Sequence, residues 1–189
     1  MINVTKPSMP DYSRYCETIQ GLWETRHLTD NGKHVIDLEE QLKEYLRVSY
    51  LSLLANGTLA IQIALSLFDF EIGSHILTTP FSYIATSSAL LWEKCIPVFV
   101  DIDAESYNLS ISDLAKKITK KTKAILAVHS FGCPCEVEKI DALAKEYGLK
   151  VIYDAAHAFA IEYKGKSILN FGDASTLSFQ ATKVFHTVE

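Results

Sequence analysis

Val151-Ile152-Tyr153-Asp154-Ala155-Ala156-His157-Ala158 opens the stretch that decides the fold, and Gln180-Ala181-Thr182-Lys183 closes it. The apolar run stops abruptly at Asp154. A second strand-like run, Ala174 to Phe179, leads to Lys183. A carboxylate thus stands at the end of one expected strand and an amine just beyond another. In open α/β sheets, ligands bind at the carboxyl ends of strands. An acid and an amine there suit a cofactor with a cationic ring nitrogen at one end and an aldehyde at the other. Pyridoxal phosphate has those features, and its recurring protein partners are a Schiff-base lysine and an acidic residue on the pyridinium nitrogen.

Working outward, the opening residues with Pro7 and Pro10 read as an arm leading into a helix from Asp11 to Glu24. Asp30-Asn31-Gly32 marks a turn. Val35, Leu38, Leu42, Tyr45 and Leu46 then share one helical face. Tyr50 to Leu54 reads as a short strand, and Asn56-Gly57-Thr58 opens a helix with Leu59, Ile63 and Leu67 in its apolar stripe. Strands at Ile76-Leu77, Pro97 to Val100, Ala124 to Val128 and Lys150 to Tyr153 alternate with helices at Tyr83 to Glu93, Leu114 to Ile118 and Val137 to Tyr147. This alternation predicts an α/β fold, a mainly parallel sheet sandwiched by helices. Ala158 to Leu169, with Lys164-Gly165-Lys166 inside it, predicts a hairpin beside the site. Residues 1–33 are expected to form an arm and helix, and residues 34–189 a cofactor-binding large domain.

At 189 residues and 48% hydrophobic content, the chain can bury one sizeable core. A net charge of −5 argues against nucleic acid or an anionic membrane as the main partner. The basic run Lys116, Lys117, Lys120, Lys121 and Lys123 falls at an expected helix end, where cations complement the macrodipole. Cys16, Cys95, Cys133 and Cys135 lack zinc-site spacing and read as buried, reduced thiols. Met1 to Pro10 has no apolar core of a signal peptide, and no run approaches the length of a membrane span. The expectation is a soluble cytoplasmic protein.

Several residues admit two readings. Asn56-Gly57-Thr58 is either an ordinary helix N-cap with a turn glycine or a phosphate site built from unpaired N–H groups. Tyr83 is either a core tyrosine or a ring that stacks on a ligand. Lys183 is either a surface lysine or the cofactor lysine. Asp154 and His157 lack a third ligand at motif spacing, so no metal is expected. If Asp154 is buried, the cost of an unpaired charge predicts a charged partner. A phosphate-binding Rossmann protein would need a G-x-G-x-x-G turn, and none occurs.

Asp154-Ala-Ala-His157-Ala, Tyr163-Lys-Gly165, Phe171-Gly-Asp173 and Ser178-Phe-Gln-Ala-Thr-Lys183 resemble the DegT/DnrJ/EryC1/StrS family. The likeness runs from Leu38 to Glu189, with an echo in Leu28-Thr-Asp-Asn-Gly32. The family consists of pyridoxal-phosphate-dependent sugar aminotransferases of the aspartate aminotransferase fold, fold type I. The resemblance implies that Lys183 is catalytic and holds pyridoxal 5'-phosphate. It places the phosphate on Gly57, Thr58, Leu59 and Ser178, the pyridine ring against Tyr83, the ring nitrogen on Asp154, and His157 near the ring oxygen. Ser74-His75 departs from a common Asp-Glu, and Cys95 from a common Gly.

Ser-Phe-x-Ala-x-Lys leading into a glutamate is similar to enzymes that aminate carbon 4 of nucleotide-linked 4-keto-6-deoxy sugars. The expected function is therefore transfer of an amino group from glutamate to such a sugar, in polysaccharide or amino-sugar biosynthesis. A homodimer with shared active sites is implied as well. Family members continue for about as many residues again. The chain is therefore expected to be the amino-terminal portion, ending before a small domain and before the strand that lies between the sixth strand and the first. The alternative is a non-catalytic remnant or partner subunit that keeps the fold without turnover.

Overall fold

Three adjacent strands of the computed structural model carry apolar side chains that alternate strictly between two faces. They are β1 (His75–Thr78), β3 (Thr122–Val128) and β4 (Lys150–Asp154). Leu77, Ile125, Ala127, Val151 and Tyr153 enter one core, while Ile76, Ala124, Leu126 and Ile152 enter the other. A period of two with both faces apolar requires cover on both sides. Helices α3 (Gly57–Ser66) and α4 (Ile84–Trp92) supply Ile61, Ala64, Leu65, Ala89 and Leu90 to one face. Helices α5 (Ile111–Lys117) and α6 (Val137–Tyr147) supply Leu114, Val137, Ile140 and Ala144 to the other. The structure describes residue 2 and residues 5–188. Met1, Asn3, Val4 and Glu189 lie outside the described residues. With them lie both outer domain bounds and the glutamate closing the lysine motif.

β2 (Ile96–Phe99) and β7 (Ala174–Thr176) complete a sheet of order β2-β1-β3-β4-β7, parallel throughout. Val128, Asp154 and Thr176 are consecutive partners across three strands, so their carboxyl ends open along one edge. The expected hairpin is present as β5 (Glu162–Tyr163) against β6 (Lys166–Ser167). Phe171-Gly-Asp173 has a structural task. Gly172 (φ 74) approaches so closely that a β-carbon would stand 2.8 Å from the Val151 carbonyl. That approach lets Asp173 Oδ2 accept from Val151 N–H at 2.9 Å and its Oδ1 bind Lys150 at 2.8 Å, fixing the start of β4. Helices α1 (Tyr12–Thr25) and α2 (Lys33–Leu46) precede the sheet, and α1 buries no residue.

The structure corrects four expectations. Tyr50 to Leu54 is not a strand: no sheet ladder among the described residues takes it up, and Leu53 N–H donates to Glu39 Oε1 at 2.7 Å instead. The Ala174 to Phe179 run is strand only as far as Thr176, where its pairing with β4 ends. In α3 the buried face is Ile61, Ala64 and Leu65, whereas Leu59, Ile63 and Leu67 are exposed. That helix is apolar nearly all round, so periodicity could not choose the face that docks. Of the thiols, Cys95 and Cys135 are buried but Cys133 is exposed. Cys135 donates to the Val128 carbonyl at 3.1 Å, and burial pushes its thiol pKa up.

Candidate active site

Asp154 ends β4 on the face covered by α3 and α4, and it is only 6% exposed. Both carboxylate oxygens are held by neutral donors. Oδ2 accepts from Thr86 Oγ1 at 2.8 Å, and Oδ1 accepts from Ala156 N–H at 3.1 Å. The strand end is tied from the other side by His129 N–H, which donates to the Asp154 carbonyl at 3.1 Å. The expected charged partner is absent among the described residues, since none of their ion pairs includes Asp154. Two neutral bonds orient this carboxylate without neutralising it, which suits a site for a cationic ligand group.

Helix α3 begins at the same edge. Asn56 caps it, its side chain accepting from Leu59 N–H at 2.9 Å, while Ala60 N–H donates to the Asn56 carbonyl. The first N–H groups of a helix have no partner within it, and those of Gly57 and Thr58 have none among the described residues. Leu59 is a correction: its N–H is consumed by the cap, and it does not line the cleft. Gly57 packs against Ser178, whose hydroxyl would lie 3.5 Å from a β-carbon at position 57. The start of α3, Thr58 and Ser178 thus line the same part of the cleft, an arrangement able to receive an anion. The N-cap reading is met, and it is compatible with the phosphate reading, because Asn56 takes up only the Leu59 N–H.

His157 lies within electrostatic reach of both Lys183 and Asp154. Burial lowers the His157 pKa first, the nearby Lys183 charge lowers it further, and Asp154 opposes both. The His157 imidazole stacks on Phe131 at 6.1 Å and 13°. The loop that presents Phe131 touches the His157 backbone at Gly132 (φ 82), where a β-carbon would sit 2.9 Å from the His157 carbonyl. Lys183 lies in a turn, its N–H donating to the Gln180 carbonyl at 2.8 Å. Phe179 and Phe185 bracket that turn in an aromatic cluster with Phe159, the rings of Phe159 and Phe185 stacking at 4.9 Å.

Gly57, Thr58, Tyr83, Asp154, His157, Ser178 and Lys183 all line one open cleft of about 1580 Å³. Tyr83 is the N-cap residue of α4 and 76% exposed, so it is not a core tyrosine. Sequence reasoning missed Thr86 and Phe131. Thr86 stands 68 positions from Asp154, and no spacing rule joins them. Asn56 as a cap was legible in Asn-Gly-Thr before an apolar run.

The model of the DegT/DnrJ/EryC1/StrS aminotransferase family matches residues 13–189. The dTDP-4-amino-4,6-dideoxy-D-glucose transaminase of Escherichia coli is 45% identical over 167 residues, covering 88% of this chain and 44% of that protein. The GDP-perosamine synthase of Escherichia coli O157:H7 is 37% identical over 188 residues, covering 100% of this chain and 51% of that protein. Among solved structures, Helicobacter pylori PseC, an aminotransferase involved in the biosynthesis of pseudoaminic acid, superimposes with a TM-score of 0.91. The two are 31% identical, with 99% of this chain and 50% of that one covered. The chain spans about half the length of the curated relatives it matches.

Proposed function

This chain belongs to the DegT/DnrJ/EryC1/StrS aminotransferase family, and from that premise we propose that the protein is a pyridoxal-phosphate-dependent nucleotide-sugar aminotransferase. The observation that carries the reading is the buried Asp154, held by neutral donors only, in one cleft with Lys183 and the Gly57–Ser178 cradle. These groups fit the cofactor. Asp154 would meet the ring nitrogen, Thr58, Ser178 and the N–H groups of Gly57 and Thr58 would take the phosphate, and Tyr83 would lie against the ring. When bound, the cofactor supplies an electron sink for the carbon that exchanges its amino group.

The residues do the rest. Asp154 keeps a proton on the ring nitrogen, because a carboxylate in a low-dielectric site favours a cationic neighbour. The cradle at the α3 terminus holds the phosphate by its N–H groups and positive dipole end, fixing the ring relative to Lys183. Lys183 would be the covalent anchor, and its amine, once released, would take up and return the proton of the substrate carbon that exchanges its amino group. His157, turned by Phe131, offers a hydrogen bond near the ring oxygen.

The amino donor is glutamate and the acceptor a nucleotide-linked 4-keto-6-deoxyhexose, feeding polysaccharide or amino-sugar biosynthesis. Amination at carbon 4 is supported by the name of the 45% identical relative, a 4-amino-4,6-dideoxy-glucose transaminase. Residues 1–33 serve as an arm and residues 34–189 as the cofactor-binding unit, a division supported by α1 burying no residue. The protein works as a homodimer with shared active sites. It is cytoplasmic, a reading compatible with no helix among the described residues being long and apolar enough to cross a membrane. Borohydride reduction of the cofactor-saturated protein, followed by peptide mapping, should leave the pyridoxyl label on Lys183. Label on another lysine, or none, sinks the assignment.

A further inference from the structure

We infer that Thr86 is the positioning residue for Asp154: its hydroxyl fixes the carboxylate in the orientation that receives the cofactor's ring nitrogen. The inference rests on the assignment of Asp154 to that nitrogen. Thr86 is fully buried in α4, one helical turn beyond Tyr83, and its N–H donates to the Tyr83 carbonyl at 3.1 Å. A threonine inside a helix commonly turns its hydroxyl back to a carbonyl three or four residues earlier. Thr86 instead reaches across to Asp154 Oδ2 at 2.8 Å.

The consequence is geometric. Ala156 N–H holds Oδ1 from two residues on, a local bond that restrains one oxygen only. Thr86 adds a second point on a separate element, so the carboxylate plane is fixed. Each oxygen keeps accepting capacity for a further donor. The two contacts expected on the cofactor ring, Tyr83 against its face and Asp154 at its nitrogen, are thereby referenced to one helix. A hydrogen bond to a charged group is also stronger than one between neutral groups. Loss of Thr86 should therefore weaken ring binding and leave the phosphate cradle intact.

The test uses 4-deoxypyridoxine 5'-phosphate, which has the ring and phosphate but no aldehyde, so that Lys183 chemistry does not enter. Its dissociation constant is measured by fluorescence titration with the full-length protein. Thr86→Val should weaken binding about tenfold, and Thr86→Ser should restore it to within about twofold of the parent. In an Asp154→Ala background, Thr86→Val should have no further effect, whereas a merely structural role would act equally in both backgrounds. Should Thr86→Val not fold, Thr86→Ala carries the same comparison. Unchanged binding by the Thr86 variants, or an equal loss without Asp154, overturns the inference. Unchanged binding by Asp154→Ala alone overturns the assignment of Asp154, and the inference with it.

Discussion

Gly57 lies so close to Ser178 that a β-carbon at position 57 would stand 3.2 Å from Ser178 Cβ. The start of α3 and the segment after β7 are thus fitted to one another across 121 residues of chain, and the proposed phosphate cradle exists only while that fit holds. Gly57→Ala should push Ser178 aside by a few tenths of an ångström and weaken binding of pyridoxal phosphate several-fold. Gly57→Val should weaken it by more than about tenfold, because small displacements of binding groups carry large factors. Equilibrium dialysis of the cofactor measures both, and unaltered affinity in the valine variant would remove Ser178 from the cradle.

Asp154→Asn should keep covalent attachment of the cofactor at Lys183 but lower turnover by about 10²–10³. Attachment needs only the aldehyde and the amine, whereas transfer needs a protonated ring nitrogen. Asparagine can still be held by Thr86 and Ala156, so the loss would be electrostatic rather than structural. Near-normal turnover would show that Asp154 does not serve the ring nitrogen.

Tyr83 is mostly exposed, so its ring contributes little to the core. Tyr83→Ala should leave the thermal midpoint nearly unchanged. Losing an aromatic contact worth about 0.5–1.5 kcal/mol should weaken cofactor binding by a factor of about 2–10. A calorimetric scan beside a cofactor titration separates the two. A large fall in thermal midpoint with unchanged affinity would return Tyr83 to a structural role.

His129 predicts a specific acid sensitivity. It is fully buried, its Nδ1 accepts from Cys135 N–H at 3.0 Å, and its ring stacks on Tyr153 at 4.6 Å and 14°. Nε2 therefore carries the proton of the neutral ring, and it has no partner among the described residues. Burial lowers the pKa from 6.5 to about 4. The unfolded chain takes up a proton first, so this contribution is fully present above about pH 6.5 and is lost as pH falls toward 4. At about 1.36 kcal/mol per pH unit, the full loss is about 3 kcal/mol. Urea unfolding at pH 7.5 and 4.5 should show a larger drop for the parent than for His129→Gln. Equal drops would mean that His129 is not held neutral.

Much of this molecule was legible in its sequence because the relevant physics is local. The apolar periods of β3, β4 and α6 are set by residues within one element, as are the stop at Asp154 and the Asn-Gly-Thr opening of α3. Family motifs likewise marked Lys183, Ser178 and His157 as candidates, and these line one cleft with Tyr83. Burial of one helical face over another, by contrast, is decided by what docks there, so Leu59, Ile63 and Leu67 read as core and stand exposed. A strand exists only with a partner, so Tyr50 to Leu54 has the composition of one without the pairing.

The same division holds at the site. Asp154, Lys183 and Gly57-Thr58 could each be named from the chain, because a carboxylate, an amine and a glycine turn have recognisable chemistry. Which atoms hold them could not be. Thr86 binds Asp154 because α4 packs on the sheet face where β4 ends, and Asn56 takes the Leu59 N–H because the α3 cap closes on itself. The sequence determined the candidate groups and the alternation that builds the sheet. Only the tertiary structure decided their partners, because a hydrogen bond depends on distance and angle between atoms that the chain alone leaves far apart.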